Sequence, residues 1–439
     1  MAKGERIMVL DFEERVRECV PSEANYVEID TQARSMIELG DGSLFGVSGA
    51  SRSTSLDGGK TWSEPMPLTQ TGESEMDGSL RHLARLKSGR IGAFWSKPGR
   101  ESGPEQQYEQ SEWFRVSEDE GKTWSRPIRV SEPYNNVCIH NEAAITGTGR
   151  IVAAAYTLVG RALPPRKGIG PYTRALFGDQ VARVGAHGHE HFFTYCWAYY
   201  SDDEGQTWHA NEGKGKWGAG GELFVTLDYS AGGHWRCNEP AIAEVSPGHL
   251  LMLMRTPLGR FFQSWSADNG TTWSHPEPSA LATALAPAAM TRLPETGDLL
   301  VIWNQASPEE IEKGLQRHRL SAAMSQDGGT TWLRARNVFS VYGENDRPYV
   351  EPPPIQNYRA MELSPRLPTN DIQGTYPFIT LWKDQVIVRF GSRDRAYSVV
   401  DPMGIRNEDR PPEARQGHNV SVQIALPLSW FYERLTRFG

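Results

Sequence analysis

Hydrophobic positions in this 439-residue chain come in short runs, each bounded by a polar or glycine-containing turn. In NEPAIAEVSPGHLLMLMR, residues 238–255, an apolar stretch meets a Ser-Pro-Gly turn and a second apolar run follows at once. That pattern predicts two strands joined by a tight hairpin, because Pro and Gly punctuate the chain and the runs have strand length. Related openings recur at residues 33–37, 77–81, 140–145, 237–242, 286–290 and 375–379. Six first strands are therefore expected.

A second pattern is more regular. The octet Ser-x-Asp-x-Gly-x-Thr-Trp begins at Ser55, Ser117, Ser201, Ser266 and Ser325 and ends at Trp62, Trp124, Trp208, Trp273 and Trp332. Asp57 and its equivalents Asp119, Asp203, Asp268 and Asp327 can accept hydrogen bonds from backbone N–H groups just beyond them, while the Gly takes a positive-φ turn position. Thr and Trp then suit the half-buried surface of the next strand. These aspartates are expected to hold turns and to do no chemistry.

The tryptophans recur at a mean interval of 67.5 residues, which accommodates about four short strands, the size of one propeller blade. The length fits six such units, the last without an octet. The expected fold is all-β, a six-bladed β-propeller with four antiparallel strands per blade. Residues 1–30 are set apart as an N-terminal segment, and residues 31–439 form a single propeller domain.

One interval is longer than the rest and contains an insertion at about 160–191, rich in Pro, Gly and basic residues. Long insertions on a rigid scaffold form lids or interaction surfaces, and this one offers a surface for association between copies of the chain. It ends in His187, His189 and His191, which could share a face of an extended strand. No second ligand cluster accompanies them, so a solvated or substrate-facing loop is expected, with no metal and no cofactor. Residues 307–319, SPEEIEKGLQRHR, read as the start of a short helix.

Charge and composition narrow the partners. A formal charge of -8 gives no broad basic field for nucleic acid or an anionic membrane. No stretch approaches the ~20 apolar residues that span a bilayer, and MAKGERIMVLDFEERV has no signal-peptide core, which points to a cytoplasmic protein. Cys19, Cys138, Cys196 and Cys237 form no CxxC pair and indicate neither a disulfide framework nor a zinc knuckle.

In a closed ring of blades the first strands line the axis, so the residues at their starts converge at one end. Polar groups there are Arg34, Asp77, Arg81, His140, Glu142, Glu239 and Tyr376. This is the candidate site.

With these residues in view, the chain resembles the sialidase superfamily, whose octets are called Asp boxes or BNR repeats. The boxes imply the six-bladed fold over most of the chain and leave the chemistry open. The later blades carry more specific likeness. In sialidases a Glu opens the fourth blade, an Arg of the substrate-binding triad follows sixteen residues later, and a Tyr opens the sixth. Glu239 and Arg255 have that spacing, and Tyr376 in GTYPFITLW stands where the family Tyr does. A further triad Arg is expected before the fifth box, where Arg317 and Arg319 both stand. The early blades depart from the family: its Arg-Ile-Pro motif is replaced by ARSMIEL with Arg34, and its Asp general acid has no counterpart in the loop GVSGASRSTS. Asp77, His140 or Glu142 could take that task.

The resemblance implies an exo-acting glycoside hydrolase for a terminal acidic sugar, a sialic or related ulosonic or uronic acid. Arg34, Arg255 and Arg317 or Arg319 would clamp the carboxylate with bidentate geometry. Arg81 and Glu142 would also face the sugar. Tyr376, relieved of its proton by Glu239, would attack the anomeric carbon, a neutral nucleophile being better suited than a carboxylate beside an anionic substrate. Two other readings stay open: a propeller polysaccharide lyase in which Tyr376 or His140 abstracts the proton α to a uronate carboxylate, and a non-catalytic carbohydrate-binding propeller.

Overall fold

The computed structural model describes residues 12–29, 35–48, 51–68, 79–97, 111–131, 137–158, 161–163, 172–177, 180–185, 194–213, 221–226, 234–235, 237–312, 315–343, 349–356, 372–394 and 419–433. Short apolar runs fold into antiparallel sheets arranged as a six-bladed β-propeller. Blade 1 consists of Met36–Glu38, Leu44–Ser48, Ser51–Ser55 and Met66–Pro67, and blade 2 of Ser79–Arg85, Ile91–Lys97, Ser111–Ser117 and Ile128–Arg129. In blade 3 the first strand is split into Val137–Cys138 and Ala144–Ile145, both paired with Ile151–Leu158, followed by Thr194–Ser201 and His209–Ala210. Blade 4 is Asn238–Ser246, His249–Arg255, Arg260–Ser266 and Glu277–Ala282; blade 5 is Ala288–Arg292, Leu299–Trp303, Arg319–Ser325 and Leu333–Ser340.

Blade 6 closes the ring. Ile372–Trp382, Gln385–Asp394 and Asn419–Pro427 come from the C-terminal end of the chain, and the outermost strand is Asn25–Ile29. Asn25 pairs with Ala425 and Ile29 with Ser421. Part of the segment expected to lie apart from the propeller is thus one of its strands; its backbone groups supply the ladder that an edge strand would otherwise lack.

The Asp boxes hold turns, as expected, and they also clasp the neighbouring blade. In the third box Asp203 Oδ1 accepts from Ser201 Oγ and from Thr207 N, both at 2.8 Å, and Oδ2 accepts from Thr207 Oγ1 at 2.6 Å. Gly205 then lies at φ +88°, where a Cβ would meet the Phe114 ring of blade 2 at 2.1 Å. The glycines of the other boxes repeat this: Gly121 lies on Phe45, Gly270 on Val152 and Gly329 on Leu251, each one blade back. Around the ring the first box meets the sixth blade, where Gln423 Nε2 donates to Gly58 O at 2.8 Å and Gly58 lies against Trp382. The required Gly therefore records both a turn and a close interblade approach.

Apolar side chains fill the spaces between blades. Phe94 and Phe114 of blade 2 meet Trp208 of the third box edge-on, with centroids 5.3–5.5 Å apart, the favourable arrangement for aromatic quadrupoles. The expected helix forms at Pro308–Glu312. Ser307 and Glu310 cap it reciprocally: Ser307 N donates to Glu310 Oε2 at 2.7 Å and Glu310 N to Ser307 Oγ at 3.2 Å. The insertion contributes a three-stranded sheet, Arg161–Leu163, Tyr172–Phe177 and Gln180–Gly185, between the second and third strands of blade 3. Cys196 and Cys237 are buried free thiols, and Cys19 and Cys138 are partly buried ones. Among the described residues no helix is long and apolar enough to cross a membrane.

Candidate functional site

First strands start, and second strands end, at one end of the propeller; the Asp boxes follow the third strands at the other. At the starting end the first strands are irregular. In blade 2 the register shifts between Leu80 and His82, in blade 4 between Asn238 and Ala241, and in blade 6 between Thr375 and Phe378. Blade 3 shows the same feature in larger form, since Cys138 pairs with Tyr156 and Ala144 with Val152, leaving two extra residues on the inner strand. The extra residues fall at Arg81, in the 139–143 stretch, at Glu239-Pro240 and at Tyr376-Pro377. Blade 5 keeps a regular ladder.

A bulge re-aims a side chain that a flat ladder would direct elsewhere. Proline suits the position after Glu239 and Tyr376 because a bulge leaves its missing N–H without cost. Glu239 and Tyr376 themselves have φ +42° and +54°. Left-handed backbone costs a non-glycine residue of order 1–3 kcal/mol and is concentrated at functional sites.

The two strained residues meet. Tyr376 Oη donates to Glu239 Oε1 at 3.2 Å, and Arg255 Nη1 binds Glu239 Oε2. The spacing of sixteen between Glu239 and Arg255 follows from the hairpin, in which Asn238 is paired with Arg255 across a turn at Pro247 and Gly248. Both members of the ion pair are buried. Burial alone would raise the Glu239 carboxyl, but Arg255, His140 and Arg317 outweigh it and hold it down at about 2.

The choice between Arg317 and Arg319 is made by their partners. Arg317 donates to Thr375 Oγ1 and Leu285 O, and its guanidinium carbon lies 5.2 Å from the Tyr376 ring centroid. Arg319 is 1% exposed, bonds Glu310 Oε1 at 2.7 Å and stacks on Tyr342. Arg317 joins the site; Arg319 anchors the short helix instead.

His140 brings its ring to 5.1 Å from that of Tyr376 and 6.3 Å from that of Phe378. Arg81 donates to Ser96 Oγ at 3.1 Å within its own blade. Glu142 lines an axial cavity with Asn141, Ala241, Ile242, Ala289, Met290, Phe378 and Ile379; the empty volume is about 270 Å³ including its open mouth. Burial pushes the Glu142 carboxyl up to about 8. Arg34, Asp77 and the three histidines of the insertion lie outside the described residues. Elsewhere among the described residues, no group of three or more His, Cys, Asp or Glu could hold a metal ion.

Three neighbours of the site carry no motif. His82, fully buried and stacked 4.1 Å from Phe94, accepts the Ala143 N–H at Nε2. Burial, with Arg81 and His140 adding, pushes it down to about 3, so it stays neutral. Asn141 Nδ2 donates to Pro240 O at 2.8 Å and ties the head of blade 3 to that of blade 4. The Asn-Glu dipeptide shared by residues 141–142 and 238–239 was its only trace in the sequence. Tyr156 is raised far above the usual phenol range by burial, with Cys138, Glu239 and Tyr376 adding.

A family model described as a BNR repeat-like domain matches residues 52–388. The chain belongs to this BNR repeat-like family. Among solved structures, the BNR repeat-like chain is similar to a protein of unknown function from Dyadobacter fermentans, with TM-score 0.53, 14% identity, and coverage of 93% of this chain and 100% of that one. It is also similar to the sialidase of Trypanosoma rangeli in complex with the inhibitor DANA (TM-score 0.47, 12% identity, 91% of this chain and 55% of that one). The leech intramolecular trans-sialidase complexed with 2,7-anhydro-Neu5Ac gives TM-score 0.45 at 14% identity, with 81% and 64% covered. The BNR repeat-like chain thus spans little more than half of the trypanosomal protein.

Proposed function

We propose that this protein is an exo-glycosidase that removes a terminal acidic sugar, of the sialic, ulosonic or uronic acid class. The observation that carries this reading is the contact of Tyr376 Oη with Glu239 Oε1 at 3.2 Å, flanked by Arg255 and Arg317.

The sugar carboxylate binds Arg255 and Arg317, whose planar forks suit a bidentate anion. Glu239 in the unliganded protein is a weak base because Arg255 neutralises it. A substrate carboxylate that draws Arg255 to itself weakens this ion pair, and the basicity of Glu239 rises as the sugar arrives. Glu239 then takes the phenol proton while Tyr376 attacks the anomeric carbon, giving a covalent intermediate that water hydrolyses. His140 packs beside the nucleophile and, with Asp77, is a further candidate for contact with the leaving group.

Chromogenic acidic glycosides test this. Turnover by the wild type should fall by ~10²-fold or more in Tyr376→Phe and in Arg255→Ala, since each removes a group used in the transition state. Unchanged turnover in both would sink the assignment. One observation favours a second reading, a propeller that binds acidic sugars without cleaving them: the ion pair that holds Glu239 ionised also lowers its basicity. Saturable binding with no product over long incubation would select it.

A further inference from the structure

Arg81 differs in what holds it from the arginines that brace the fold. Arg85, Arg90, Arg150, Arg255, Arg319 and Arg336 each meet a carboxylate. Arg81 is partly buried, and among the described residues its hydrogen bond is the one from Nη2 to Ser96 Oγ at 3.1 Å. Its Nε is buried without a partner. No ion pair to Arg81 is present among the described residues; Glu112, buried opposite Ser96 on the third strand of blade 2, forms none with it. A guanidinium has five N–H donors and cannot shed its charge, so holding one partly buried against a neutral hydroxyl leaves donor capacity that an anion would fill.

The ladders put this guanidinium at the level of the site. Ile91 pairs with Ser117 and Leu250 with Ser266, the opening serines of the boxes of blades 2 and 4. Five residues further along these second strands stand Ser96 and Arg255, which pair with Ser79 and Asn238. Ser96 is therefore the blade 2 equivalent of Arg255. Ser79 stands six residues before Arg85, the partner of Ile91, and Asn238 six before Glu244, the partner of Leu250. Leu80-Arg81 thus fills the stretch that Glu239-Pro240 fills in blade 4. In blade 4 the second strand carries the arginine and the first strand its carboxylate; in blade 2 the first strand carries the arginine and the second only a hydroxyl.

Its neighbours connect Arg81 with the nucleophile. The charges of Arg81 and His140 both help to hold the buried His82 ring neutral, and the His140 ring lies 5.1 Å from that of Tyr376. Arg81 is nonetheless set apart from the pair assigned to the sugar carboxylate. Blade 2 stands across the axis from blade 5, which carries Arg317, and blade 3 separates it from Arg255 in blade 4. The bond to Ser96 keeps the guanidinium within its own blade. A carboxylate bound by Arg255 and Arg317 therefore leaves Arg81 available to a different group on the other side of the sugar.

We propose that Arg81 binds a second anionic group of the substrate, a sulfate ester or a further carboxylate, so that the sugar acted on is doubly charged; the inference rests on the glycosidase reading above. No bond is made or broken at Arg81. Its planar fork donates to two oxygens of the anion while Ser96 fixes its orientation. The formal charge of -8 makes the wider surface unfavourable to such a substrate, so the preference depends on this local cation. Arg81 sets specificity, and its effect is read mainly in KM.

The test uses one nitrophenyl glycoside of an acidic sugar together with its singly O-sulfated and singly O-carboxymethylated derivatives. Wild type should prefer at least one derivative to the parent by ~10-fold or more in kcat/KM, mostly through KM, and the preferred derivative tells sulfate from carboxylate. Arg81→Gln should lose ~10–100-fold on that derivative, the worth of hydrogen bonds to a charged group, and less than about 3-fold on the parent. Arg81→Lys, which keeps the charge and loses the fork, should recover part of the difference. The preference should also shrink as salt rises in wild type and not in Arg81→Gln. Turnover of the parent with no derivative preferred, or equal losses on parent and derivative in Arg81→Gln, would overturn the proposal while leaving the glycosidase reading in place. The first of these needs no variant, so the proposal stays exposed even if Arg81→Gln misfolds. A wild type that cleaves neither the parent nor any derivative would remove the reading and the proposal together.

Discussion

Replacing Glu239 by Gln removes the charge that pairs with Arg255 while keeping the shape of the side chain. The carboxyl lies near 4.5 when free and is held at about 2 in the fold. At ~1.4 kcal/mol per unit this corresponds to about 3 kcal/mol of stability, of the order found when one partner of a buried ion pair is removed. The sign follows from the direction. A depressed carboxylate stabilises the fold at pH values above about 4.5, and that stability is lost as pH falls through about 2. Urea unfolding of wild type and Glu239→Gln at pH 7 should therefore differ by roughly 3 kcal/mol, shrinking to about 1 kcal/mol at pH 3. Arg255→Met in the Gln background should cost little more, because the interaction is already gone. A difference that is the same at pH 3 and pH 7, or absent at both, would mean that Glu239 and Arg255 are not coupled as described.

Other consequences can be measured separately. Gly205→Ala places a Cβ 2.1 Å from Phe114 at φ +88°, and the combination of strain and overlap should cost roughly 2–5 kcal/mol in urea unfolding. Asp203→Ala removes three hydrogen bonds from a box turn and should cost about 2 kcal/mol, with turnover below the melting temperature retained because the box lies at the far end of the blade. Glu142 has a raised carboxyl, so its ionisation opposes folding as pH climbs from about 4.5 to about 8; Glu142→Gln should gain stability over wild type at pH 9, by at most about 5 kcal/mol. Deleting residues 1–30 removes the strand paired with Asn419–Pro427, and light scattering should show association through the exposed edge.

Blade number, box turns and the short helix were legible because each depends on neighbours in sequence: Ser201, Asp203, Gly205 and Thr207 close a turn within seven residues. The Glu239 and Arg255 pairing was legible for a similar reason, since one hairpin joins them. Strand Asn25–Ile29 was not, as its partner lies about 400 residues away and no local pattern announces it. Nor could spacing separate Arg317 from Arg319. Two residues apart in sequence, they are equally placed until Glu310, from a helix turn of its own, claims one of them. His82 escaped notice because a buried neutral histidine is indistinguishable in sequence from any strand residue.

Closure by the first strand sets an order of events during synthesis. Residues 25–29 leave the ribosome early, yet their partner, residues 421–425, is made about 400 residues later. At ~5–20 residues per second this is a wait of roughly 20–80 s. Throughout that interval NYVEI is a strand without a ladder, and five blades can be complete before it has anywhere to go. Translation pauses near the C-terminal coding region would prolong this exposure, so synonymous codon changes there should alter yield more than the same changes within the central blades.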